Sequence, residues 1–136
     1  MTRARTLQAD ERGLIGKILI LWIVLGALLL VAAIDTAQIL VTRYHVADAA
    51  QEAAFEAGST YRSSRGDRQA AYRAALQVVE EAGAETKLAR FVIDGPTGRV
   101  TVTVTRRAPT LLAGRIGFTE DLTRVKATET SEPAAP

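Results

Sequence analysis

Residues 18–34 read ILILWIVLGALLLVAAI, seventeen consecutive positions without a charged side chain. As a helix rising about 1.5 Å per residue, the stretch is roughly 26 Å long, near the lower limit for crossing a hydrocarbon core of about 30 Å. Leu14, Ile15 and Gly16 lengthen it if Lys17 bends its ammonium back toward the headgroups. Trp22 lies near that same end, where indole rings favour the membrane interface. The rest of a 136-residue chain is too small to surround such a helix on all sides, so the segment is expected to cross a membrane.

The flanks set the expected orientation. Arg3, Arg5, Arg12 and Lys17 precede the span against Asp10 and Glu11, whereas residues 35–136 hold thirteen basic and thirteen acidic side chains. All of the net charge of +2 therefore sits before the apolar run. That is a topology signal rather than a phosphate-binding one, and it argues against nucleic acid as a partner. Residues 1–17 are expected in the cytoplasm and the C-terminal part outside it. Val31, Ala32 and Ala33 would suit a signal peptidase cutting before Ile34, which leaves a secreted binding protein as an alternative. The run is longer than the usual signal-peptide core of about 7–15 residues, so the span is expected to be retained.

The chain is 48% hydrophobic overall, but outside the span only three Phe and three Tyr remain to build a core, too few for an enzyme-sized one. No cysteine is present, which removes disulfides and thiolate chemistry, and a single histidine, His45, cannot make a multi-histidine metal site. His45 reads as an exposed polar residue, and Glu80–Glu81 and Glu120–Asp121 as solvated charge. Gly114, Arg115 and Gly117 lack the lysine and serine spacing of a phosphate-cradling loop. No catalytic residue, cofactor or metal site is expected.

Beyond the span, residues 35–58 are rich in Ala, Gln and Glu and contain no proline, so the membrane helix is expected to continue as a rod, capped at Gly58. Ala49, Ala53 and Ala57 recur every four residues, as do Ala50, Ala54 and Gly58. Such rows let a second helix approach closely, which makes Ala49, Ala50, Ala53, Ala54 and Ala57 the expected partner-packing face. The competing reading is that alanine simply favours helix. Asp35 and Arg43 are candidate interface residues. Eight positions apart, they are too distant for an ordinary pair within one helix, and Asp35 otherwise marks the water boundary.

Residues 59–130 read as a small α+β head. Residues 59–66, STYRSSRG, are turn-rich and suggest a loop; Asp67 caps a helix ending near Gly83, with Ala71, Ala75, Leu76, Val78 and Val79 as its apolar stripe. A strand over 88–94, the turn Gly95-Pro96-Thr97-Gly98 and a strand over 99–107 form a hairpin. In the second strand Val100, Val102 and Val104 alternate with threonines, which predicts one buried face. Residues 109–118 connect to a third strand over 122–130, and 131–136 read as a disordered tail. The expected architecture is α+β and membrane-anchored, with one helix on a three-stranded antiparallel sheet.

This order of parts resembles the TadE/TadG family, pilin-like components of the tight-adherence pilus and its secretion apparatus. The matching features are Glu11-Arg12-Gly13 before the span, Asp35 at its outer end, Arg43, the stretch ADAAQEAAFEAG, a VTVTVT strand, APTLLAGRIGF and the closing KATET strand. The resemblance covers about residues 10–130. It implies a bitopic protein of the bacterial cell membrane that works in pilus assembly and adhesion, with other pilin-like proteins or further copies of itself as partners. One departure is that prepilins carry a glutamate five residues after the processing glycine. Ile18 and Leu21 stand at those places after Gly13 and Gly16. An accessory or regulatory subunit of another envelope complex is the second reading.

Overall fold

The computed structural model describes residues 4–132, with side chains from Gly13 onward. Its elements are helix α1 (Ala4–Ser63), helix α2 (Arg68–Glu81), strands β1 (Thr86–Asp94) and β2 (Arg99–Arg107), the one-turn helix α3 (Glu120–Thr123) and strand β3 (Arg124–Thr130). The chain divides into two units, one ending at Ile34 and the other beginning at Asp35.

In the first unit, Leu19, Leu21, Trp22, Ile23, Leu29 and Leu30 are all exposed, so apolar side chains point in every direction around the helix. A helix apolar on all sides is the kind found inside a protein core or a membrane. It is long and apolar enough to cross a membrane.

The second unit is a two-layer α+β structure. The strands form an antiparallel meander in the order β1-β2-β3. Val100, Val102 and Val104 are completely buried, as the alternation in β2 predicts. Their neighbours across the strands are Ile93, Phe91 and Leu88 in β1, with Ala127 beside Val104 in β3. A register shift at Ala89, between Leu88 and Arg90, lets Leu88 share a face with Phe91 and Ile93 despite the wrong parity. Over this face lie Ala71, Ala75 and Val79 of α2, together with Val46, Ala50, Ala53, Ala54 and Ala57 of α1. Tyr72 and Phe91 meet edge to face, 5.4 Å apart, at the margin.

Two helices therefore cover the sheet, not one. The fully buried side chains are almost all alanine and valine, so the layers are held by close approach rather than by large apolar groups. Gly58 shows how close. A Cβ there would lie 2.7 Å from Ser131 Cβ. Gly58 is thus not a cap. The helix runs through it and ends at Ser63, so most of the expected 59–66 loop is helical. The reversal is made by Arg65 and Gly66, both at positive φ.

Asp67 does cap α2, its Oδ1 accepting from the N–H groups of Gln69 and Ala70 at 2.9 and 3.1 Å. The tail expected over 131–136 does not begin at Ser131. Ser131 is buried, its N–H donates to Val100 O at 2.8 Å and its Oγ accepts from Val100 N at 2.9 Å. Residues 133–136 of that expected tail, and residues 1–3 of the basic segment, lie outside the described residues.

Candidate functional site

Asp35 is the most unusual polar side chain in the second unit. It is the first residue after the apolar run, yet it is only 5% exposed. Its Oδ1 accepts from Leu111 N at 2.6 Å, and its Oδ2 from Leu112 N at 2.9 Å and Ala113 N at 2.8 Å. Three consecutive backbone donors converging on one carboxylate make a peptide nest around an anion. The N–H groups of Ala113 and Leu111 hold the Asp35 carboxyl below the usual carboxylate range, with Leu112 assisting and desolvation opposing. Asp35 is therefore ionised at neutral pH and occupied by its own chain. The expectation that it pairs with a neighbouring subunit is corrected accordingly, since little acceptor capacity remains for an outside cation.

The segment that Asp35 grips is internally bonded. Thr110 Oγ1 accepts from Gly114 N at 2.9 Å, Arg115 N donates to Leu112 O, and Thr119 N donates to Ile116 O. Thr119 Oγ1 bonds the carbonyl oxygens of Ala113 and Ile116 at 2.7 and 3.0 Å. At the base, Ala108 N donates to Thr123 O, and Arg107 pairs with Glu120 at 2.7 Å. Against this ordered backbone, Leu111, Leu112, Ile116, Phe118 and Leu122 are exposed, Phe118 at 85%.

The alanine rows do something other than expected. Ala50, Ala53, Ala54 and Ala57 are at most 1% exposed, and Ala49 is buried too, beneath the chain's own sheet and second helix. They are not a partner-packing face. The requirement for small side chains is real, but the closely approaching backbone is the chain's own. The opposite face of α1 is the uncovered one. Val41, Tyr44 and Phe55 are exposed there, interleaved with Asp48, Gln51 and Glu52. Arg43 is also exposed, in a groove beside Leu122 and Val125, and the structure does not bring it to Asp35. His45 borders a shallow groove between α1 and α2 with Asp48, Glu52 and Glu81.

The outer face of the sheet carries a cluster of basic groups, which a net sum of zero conceals. The register places Lys87, Thr105 and Lys126 in one cross-strand row on the outer sheet face, with Arg90, Thr103 and Thr128 in another. Paired threonine hydroxyls, Thr101 with Thr130 and Thr103 with Thr128, lie 2.9 Å apart along this face. Lys87, Arg90, Arg124 and Lys126 are exposed and make no ion pair among the described residues. Acidic Asp48, Glu52 and Glu56 occupy successive turns of α1 on the helical side.

Comparison with protein families, with characterised proteins and with solved structures finds no match to this chain.

Proposed function

We propose that the chain is a single-pass, pilin-like subunit of a bacterial envelope assembly, of the tight-adherence pilus or its secretion apparatus, acting by packing rather than by catalysis. The N-terminus is cytoplasmic and the second unit extracytoplasmic. The observation that carries this reading is the division of labour around α1. Beyond an apolar stretch long enough to span a membrane, one helix face is spent on the chain's own sheet while the opposite face stays bare. Tyr44, at 71% exposed, and Phe55, at 65%, are large apolar groups on that bare face, and large aromatics are what protein interfaces select. The basic cluster of Lys87, Arg90, Arg124 and Lys126 and the acidic row of Asp48, Glu52 and Glu56 add local surfaces of opposite sign that would orient further copies or related subunits.

The test is site-specific cross-linking in native membranes, which the absence of cysteine makes clean. Gln51→Cys stands on the bare face and Ala53→Cys on the covered one. Cross-links to pilin-like proteins or to another copy should form through position 51 and not through position 53. A position 51 that captures only components of another envelope machine would favour the accessory-subunit reading, and one that captures nothing would remove the assembly role.

A further inference from the structure

The exposed apolar side chains of residues 111–122 have no role in the fold. A segment carrying Leu111, Leu112, Ile116 and Phe118, all exposed, would be a liability in open water. Its position is fixed by Asp35, whose carboxylate takes the N–H groups of residues 111–113. Asp35 directly follows Ile34, the last residue of the apolar run. If residues 18–34 cross a bilayer, Asp35 stands at its outer surface, and the segment latched to Asp35 stands there with it.

The backbone of this segment is suited to that place. Entering an apolar interface is costly for any N–H or C=O left without a partner. Here the N–H groups of residues 111–115 and of Thr119 have protein acceptors, and the Thr119 hydroxyl is shared between the carbonyl oxygens of Ala113 and Ile116. The unpartnered N–H groups are confined to the tip at residues 116–118, which would sit at the level of the headgroups. The segment 108–119 contains no acidic residue and one cation, exposed Arg115, so it meets a phosphate layer without repulsion.

We infer that residues 111–118 form a second membrane contact, an apolar loop seated in the headgroup–acyl boundary of a phospholipid bilayer with Arg115 at the level of the phosphates. This rests on the membrane-spanning reading of residues 18–34.

The experiment uses the full-length protein in phospholipid vesicles. Trp22 is the only tryptophan, so wild type reports on the span and a Trp22→Phe, Phe118→Trp variant reports on the loop. Spin-labelled phospholipids that quench near the headgroups or near the bilayer centre supply the depth, and aqueous iodide supplies the water side. At position 118 the expected result is a blue-shifted indole that loses most of its emission to the headgroup-level label and is protected from iodide. An indole at 118 that iodide reaches and lipid labels do not, while Trp22 is lipid-quenched, would leave the span standing and overturn the loop contact. An indole at 118 shielded from both quenchers would also overturn it, in favour of a protein partner. Failure of lipid labels to quench Trp22 would remove the spanning reading and the inference together.

Discussion

Asp67 and Asp35 do the same chemistry over very different distances. Each is a carboxylate accepting backbone N–H groups. Asp67 takes them from two and three residues downstream, and Asp35 from residues 76 to 78 positions away. The first is a helix cap, a local bond that any chain with an acidic residue before a helix can form. The second joins two parts of the chain that must first be brought together by the fold, and it involves three donors rather than two. One shapes a helix end; the other fixes an entire loop.

The comparison is most severely tested by Asp35→Ala. With no acceptor, three consecutive N–H groups are orphaned, and amide exchange at Leu111, Leu112 and Ala113 should accelerate about tenfold or more while α2 amides are unchanged. Equal protection in the variant would show that the loop is held by something else. Acid should act in the same direction and less completely, because a protonated carboxyl keeps a carbonyl acceptor. The folded-state pKa of Asp35 is depressed, so its contribution is fully present above the unfolded value of about 3.9 and is lost as pH falls from there through the folded pKa. Amide chemical shifts of residues 111–113 should therefore stay flat down to about pH 4 and move only below it. Movement between pH 5 and 7 would contradict the nest.

Asp67→Ala should cost about 1 kcal/mol in thermal or denaturant unfolding, with exchange at residues 111–113 untouched. An effect spreading to the loop would mean that the two carboxylates are not independent. The smallest change is expected from Thr110→Val, which removes one acceptor from Gly114 N in a segment already held by Asp35. A loss of roughly 0.5–1.5 kcal/mol, confined to exchange at Gly114, is expected.

The same contrast explains what could be read in advance. The apolar stretch, the Asp67 cap, the hairpin turn and the Val face of β2 are written within a few residues of themselves, as periodicity or as turn chemistry, and the structure has them. Asp35, Gly58 and Ser131 take their meaning from partners that local pattern cannot name. Gly58 in the sequence is a helix stop; in the fold it is the space that Ser131 fills. The alanine rows were legible as a demand for close approach but silent about what approaches. One signal lay in the helix itself. Val46 shares the alanine face while Tyr44 and Phe55 stand opposite, and a β2 strand with valine at three successive inner positions offers the matching shallow surface. The shift at Ala89 left no such trace, because TKLARFVID alternates too weakly to show where its parity changes.

The meeting of Gly58 with Ser131 also sets an order of events. The helical layer is complete by residue 81, but the residue that fills the space at Gly58 is Ser131, and the Asp35 nest waits for residues 111–113. Until residues 111–113 have been made, the Asp35 carboxylate has none of its three donors and remains solvated. Closing contacts across so many residues is slow compared with forming the helix itself.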